Sequence, residues 1–166
     1  AVVSPGSSIN ALGGGISRAL RAKDFKAGRD DVLLLFGRGR GPERVLLIGM
    51  GASVTATGVG RAATIAGRKA NAMGVQRAAF WAPWPDADSI EGAAAGAALG
   101  AWEYRELKTQ PPVSERPKPL ASMTLVVAKL DAGTRRAFAA GRAMAEGQRV
   151  ARTLAPERLR GQIRRP

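Results

Sequence analysis

The feature that most constrains this chain is a repeated change of hydrophobic period. Short, almost wholly apolar runs alternate with longer stretches in which small apolar residues return every three or four positions. Val32-Leu33-Leu34-Leu35-Phe36, Arg44-Val45-Leu46-Leu47-Ile48, Arg77 to Ala82 and Met123 to Ala128 are the short runs, with the length and content of buried strands. From Thr55 to Gly74 the period changes. Val59, Ala62, Ala63, Ala66, Ala70 and Met73 fall on one side of a helix, Arg61, Arg68 and Asn71 on the other, and Gly74 suits the position just past its end. Ile90, Ala94, Ala97, Ala101 and Tyr104 recur at helical spacing behind Asp88-Ser89-Ile90-Glu91, which reads as a capping box. Asp131 opens a long helix to about Leu154. A shorter helix is expected within 9–23, starting after Gly13-Gly14-Gly15.

The order strand–strand–helix–strand–helix–loop–strand–helix predicts an α/β protein, a single three-layer domain with a mixed sheet and helices on both faces. The Gly/Pro-rich segment from Gly37 to Pro42 suits a hairpin between the first two of these strands. Val45 to Ile48 is expected to be central in the sheet, with the Val59/Ala63/Ala66/Ala70 face packed on it.

Composition narrows the chemistry. The chain's 166 residues hold neither Cys nor His, which excludes disulfides, thiol nucleophiles, His-based acid–base catalysis and zinc-finger or zincin-type sites. The carboxylates are few and scattered, and neither Lys108 nor Lys129 is singled out as an activated amine. No catalytic residue, cofactor-binding residue or metal ligand is therefore assigned. No apolar run approaches the ~20 residues of a membrane span. Ala1-Val2-Val3-Ser4-Pro5 has no signal-peptide pattern, so the expected setting is soluble and cytoplasmic. Lys+Arg 26 against Asp+Glu 13 gives a net charge of +13, with 20 Arg among the basic residues. Such a balance suits a polyanion partner. It equally suits a GC-rich coding bias, because Ala, Gly, Arg and Pro are raised together and make up half the chain.

Two local patterns are candidate sites. Gly49, Gly51 and Ser53 lie between a buried strand and a helix, where backbone amides often hold an anion. The third glycine of a dinucleotide fingerprint is missing, since Val54 stands there, and no acidic ribose ligand follows near Lys69-Ala70-Asn71. Arg135, Arg142 and Arg149 recur every seven residues on the last helix and form, with Arg152, a basic stripe for phosphate contact, tempered by Glu146.

The succession of residues also resembles the N-terminal domain of the leucyl aminopeptidase (cytosol aminopeptidase) family. The matching stretches are Leu12-Gly13-Gly14-Gly15 with Leu20 and Asp24-Phe25-Lys26-Ala27-Gly28, then Arg44 to Gly51, similar to the family's RVLLVGLG, and Arg61-Ala62-Ala63. Glu91-Gly92, the run from Leu99 to Arg105, Lys108, Ala145-Glu146-Gly147 and Ala151-Arg152-Thr153-Leu154 follow in the family's order. Thr153 departs from the usual Asp, and Ala155-Pro156-Glu157-Arg158 from the expected Asn-Pro-rich stretch. The resemblance implies a domain shaped like a macro domain over residues 1–154, a basic linker or tail over 155–166, and a separate catalytic domain as partner. That catalytic domain would hold two divalent metal ions, zinc or manganese, and release N-terminal residues from peptides. It further implies a homo-oligomer, with domain packing and assembly as this domain's role and no activity in this chain alone. A basic nucleic-acid-binding module and a macro-like binder of ADP-ribose or a nucleotide are the rival readings.

Overall fold

A computed structural model describes residues 2–3, 22–37, 42–84, 86–103, 112, 115 and 118–163. Its elements run β1 (Val2–Val3), β2 (Val32–Phe36), β3 (Arg44–Ile48), α1 (Ala56–Ala72), β4 (Arg77–Ala82), α2 (Ala87–Ala101), β5 (Ser122–Val127) and α3 (Ala132–Ile163). The alternation read from the hydrophobic periods is therefore present, and the protein is α/β. The expected helix within 9–23 lies outside the described residues except for 22 and 23, which sit in a turn.

The strands divide between two small sheets rather than one mixed sheet. β2 and β3 form the expected antiparallel hairpin, with Val32 opposite Ile48 and Phe36 opposite Arg44. The other sheet is parallel in the order β1-β5-β4. β5, not β3, is the central strand: Leu125, Val126 and Val127 are buried, whereas Val45 to Ile48 are only half-buried. Among the described residues the hairpin has no third strand, and so an all-apolar run does not by itself guarantee a central place. β4 alternates instead, with Ala79 and Trp81 exposed and Ala78, Phe80 and Ala82 turned inward.

Helix termini follow local chemistry. Thr55 caps α1 by accepting the Gly58 amide at 3.1 Å. At the other end Gly74 has φ +67°, and the amides of Gly74 and Val75 return to the carbonyls of Asn71 and Ala70, a Schellman closure. The capping residue of α2 is Asp86, not Asp88: its side chain accepts the Ser89 amide at 2.7 Å, and the helix starts two residues before the expected box. α2 ends at Ala101, so Tyr104 falls outside both the helix and the described residues. Asp131 does begin α3, accepting the Thr134 amide at 2.9 Å. That helix continues beyond Leu154 to Ile163, although Pro156 withholds one amide from the ladder.

The core gathers where the helices meet the parallel sheet. Val59, Ala63, Ala82, Ile90, Ala93, Leu125, Val127 and Ala137 form one buried cluster, and Phe80, Trp84 and Phe138 pack against it. Most of these side chains are small because the helices approach too closely for larger ones. The Val59/Ala63/Ala70 side of α1 is buried as expected, but chiefly against α2 rather than a sheet; Ala66 is only half-buried. A Cβ at Gly96 would overlap the Gly60 carbonyl, and one at Gly100 the Thr64 carbonyl. At Gly67 it would lie 2.7 Å from the Ala97 carbonyl oxygen. The backbones of α1 and α2 are thus in direct contact, and α3 joins them similarly, with Gly141 against the Glu91 carbonyl.

Gly96→Ala should lower stability by about 1–3 kcal/mol, since the neighbouring backbone must move to admit the methyl group. Gly147→Ala on α3, where a Cβ would meet nothing within 4 Å, should be neutral or raise stability by up to ~1 kcal/mol through helix propensity. Urea unfolding of both variants checks the contrast; equal effects would place the helices further apart. A second pair compares the two sheets' surroundings. Ile90→Ala, at a side chain 1% exposed, should cost ~2–5 kcal/mol, and Leu47→Ala, in the half-buried hairpin, only about 1 kcal/mol.

Candidate functional site

The first candidate is the turn between β3 and α1. Residues 27–31 lie along it and bind it with main-chain hydrogen bonds. The Gly49 amide donates to the Asp31 carbonyl at 2.8 Å, the Gly51 amide to the Ala27 carbonyl at 3.1 Å, and the Asp30 amide to the Gly49 carbonyl at 3.0 Å. Gly51 sits at φ +78°, which favours glycine, and a Cβ at Gly49 would overlap the Gly28 carbonyl. Both glycines thus answer to the fold, and both amides are already engaged by the chain's own carbonyls. Ser53 is exposed beside them. A cleft of about 90 Å³ opens here between Arg29, Ser53, Thr57 and Arg61. Arg61 Nη1 is 3.0 Å from Asp30 Oδ2, an exposed pair that adds little to stability.

The second candidate is the basic side of α3. Arg135, Arg142, Arg149 and Arg152 are all exposed. The structure brings Arg142 and Arg149 together in one groove and leaves Arg135 outside it. The groove, about 470 Å³, runs between the end of α2 and the middle of α3, with Leu99, Trp102 and Phe138 in its walls. Arg149 grips Glu146 with both arms of its guanidinium, Nε to Oε2 at 3.0 Å and Nη2 to Oε1 at 2.5 Å. These bonds, helped by the Arg149 and Arg142 charges, hold the Glu146 carboxyl below its usual range, and Arg149 is raised in turn. The Arg152 guanidinium lies 5.9 Å from the centroid of the Trp102 ring, within cation–π range. Two of the four stripe arginines therefore already have partners within the chain.

The apolar walls of that groove were not singled out from the sequence. Trp102 directly follows the small-residue pattern of α2, and such a bulky residue at the end of an Ala/Gly helix is the signal that marks it. Lys129 is 79% exposed and lies 3.3 Å from Asp131. Lys108 lies outside the described residues. Among the described residues no group of three His, Cys, Asp or Glu is placed to hold a metal ion, and no helix is long and apolar enough to cross a membrane.

Comparison with known proteins places these features. Residues 3–111 match the sequence model of the N-terminal domain of the cytosol aminopeptidase family. Among solved structures, a mutant of tomato leucine aminopeptidase is similar at 21% identity and a TM-score of 0.65, covering 83% of this chain and 28% of its own. The bottromycin maturation enzyme BotP, in complex with Mn, is similar at 25% identity and a TM-score of 0.60, covering 92% of this chain and 30% of its own. The chain thus spans less than a third of the length of these proteins. A search of curated proteins gives no match.

The α3 cap supplies a pH test. The Thr134 amide first, then bonds from Lys129 and the Thr134 hydroxyl, lower the Asp131 carboxyl from 3.8 to about 2. A group depressed in this way stabilises the fold fully above its unfolded value, and that contribution disappears as pH falls from about 4 through 2. Carbon-detected NMR titration should give Asp131 a midpoint near 2. A midpoint at the ordinary carboxylate value would mean that the cap is not formed in solution.

Proposed function

The chain belongs to the cytosol aminopeptidase family, as its N-terminal domain, and from that premise we propose that it is the non-catalytic domain of a leucyl aminopeptidase-like metallopeptidase. The observation that carries this reading is one of proportion: the shared fold covers most of this chain and less than a third of each relative. Its role is to pack against a larger catalytic domain and to help build a homo-oligomer, in the cytoplasm. The reaction of the whole protein is release of N-terminal residues from peptides, and two divalent ions, zinc or manganese, supply Lewis-acid activation of water there.

The described residues of this chain offer no cluster that fits such ions. The chain holds no His or Cys, and its described carboxylates form no cluster. The ions accordingly belong to the other domain, and no step of the reaction is assigned to residues here. The observations favour neither rival reading. An ADP-ribose or nucleotide site at Gly49–Ser53 needs amides that already bond Asp31 and Ala27. A nucleic-acid stripe needs arginines of which two are occupied by Glu146 and Trp102.

The purified 166-residue chain should therefore show no hydrolysis of leucine amides or leucyl peptides, with or without added zinc or manganese. Metal-dependent turnover that survives repeated purification would overturn the assignment. Reading the coding sequence downstream of Pro166 tests the other half of the proposal. A lysine-, aspartate- and glutamate-bearing catalytic segment is the expected finding.

A further inference from the structure

The groove between α2 and α3 is hollow because small residues stand between large ones. Leu99 and Trp102 of α2 and Phe138 of α3 line it as half-buried walls. Ala98, Ala139 and Ala143 lie among them and leave the space unfilled. At about 470 Å³ the volume falls within the range of small-ligand pockets, roughly 300–1,000 Å³. Phe138 and Arg149 both line it, and the helix rises roughly 16 Å from one to the other. The groove is therefore long and narrow rather than round.

Charge indicates what fits between these walls. Arg149 and Glu146 satisfy each other through two hydrogen bonds. Arg142 also lines the groove and is exposed, and it makes no hydrogen bond or ion pair among the described residues. One guanidinium is thus available beside an apolar slot, and its fork matches the two oxygens of a carboxylate. The walls select what the carboxylate is attached to. Leu99 and Phe138 carry no polar atom, so a peptide laid along them would bury amides without partners. Duplex DNA needs several cations along its backbone and would leave the walls wet. Inorganic phosphate gains nothing from them either. A slim aliphatic acid meets both requirements.

We propose that the α2/α3 groove binds a small aliphatic carboxylic acid, with the carboxylate on Arg142 and the hydrocarbon chain against Leu99, Trp102 and Phe138. Arg135, outside the groove, takes no part.

Decanoate serves as the probe, followed through the indole N–H signals in nitrogen-15 NMR of the 166-residue chain. The chain has three tryptophans, and Trp81, exposed on β4, is the internal control. Decanoate should move the Trp102 signal saturably and leave that of Trp81 in place. Decanol, of the same length and uncharged, should bind about tenfold more weakly, as expected for the loss of one charge-assisted pair. Arg142→Gln should weaken decanoate by about the same factor and leave decanol unchanged. Ala143→Leu, which puts bulk into the hollow from an exposed helix position, should weaken both. Circular dichroism and urea midpoints like those of the parent chain check that each variant is folded, and the decanoate–decanol comparison needs no variant. An unmoved Trp102 signal, or equal shifts at Trp81, overturns the site. Equal affinity for decanoate and decanol, or an Arg142→Gln chain that binds decanoate as the parent does, overturns the pairing with Arg142 and the proposal with it. Tighter binding of N-acetyl-leucyl-leucine overturns it in favour of a peptide end, and displacement of decanoate by duplex DNA in favour of nucleic acid.

Discussion

Two helices whose backbones touch set the terms for everything else in this protein. Gly96 and Gly100 of α2 lie against the carbonyls of Gly60 and Thr64 of α1, leaving no room between the axes for even a methyl group at either glycine. Close approach multiplies weak dispersion contacts along the whole interface, which compensates for the small apolar surface that each alanine can bury. It also explains why, among the described residues, the largest fully buried side chains are Ile90, Val59 and Val127. Glycine in a helix carries a conformational penalty of about 1 kcal/mol relative to alanine. Here that penalty is the condition of the packing.

With α1 and α2 fixed, the sheet elements attach to them rather than the reverse. β5 is central in its sheet and supplies Leu125 and Val127 to the cluster that Val59, Ala63 and Ile90 complete. The Asn71 side chain at the end of α1 accepts the Leu120 amide at 3.0 Å, tying the entry of β5 to the helix pair. The β2–β3 hairpin is held by different means: residues 27–31 clasp its exit through main-chain bonds to Gly49 and Gly51. Ala27 and Asp30 adopt φ of 55° and 66° to do so. That strain is local, of order 1–3 kcal/mol for each residue, and is offset by the hydrogen bonds it permits.

Periodicity made the elements legible in the sequence, but not their company. The runs at Val32–Phe36 and Arg44–Ile48 were recognisable as paired strands, because the Gly/Pro loop between them leaves little choice. Whether that pair lay at the centre of a sheet was not recognisable, because an apolar run records burial without naming the neighbour. The spacing Gly92, Gly96, Gly100 was in plain view. It marks a helix–helix contact, whereas the Val59/Ala63/Ala66/Ala70 face of α1 was expected to pack on a sheet. Asp86 was missed as a cap in favour of Asp88 because the acidic residue at the third position made the later box look complete; Pro85 immediately before Asp86 was the better boundary signal. For the candidate sites, the sequence put the arginines on the last helix and the glycines in a strand-to-helix turn, where the structure has them. It could not show that Glu146, Trp102 and two main-chain carbonyls already occupy most of them, since those partners are fixed by tertiary packing and side-chain rotamers.

That occupation bears on how the net charge of +13 is to be understood. A polyanion site requires cations that are both clustered and free, and clustering alone is what a high arginine count produces. On α3 the clustered arginines lie beside the uncharged, exposed residues Ala140, Ala143, Gly147, Val150, Ala151 and Leu154. Salt-screened contacts to phosphate would leave that apolar face in water, at an unfavourable ~25 cal/mol for each Å² of apolar surface left unburied. The body of the domain rests on the contact between α1 and α2, and beyond Ala145 no described side chain of α3 is buried in it.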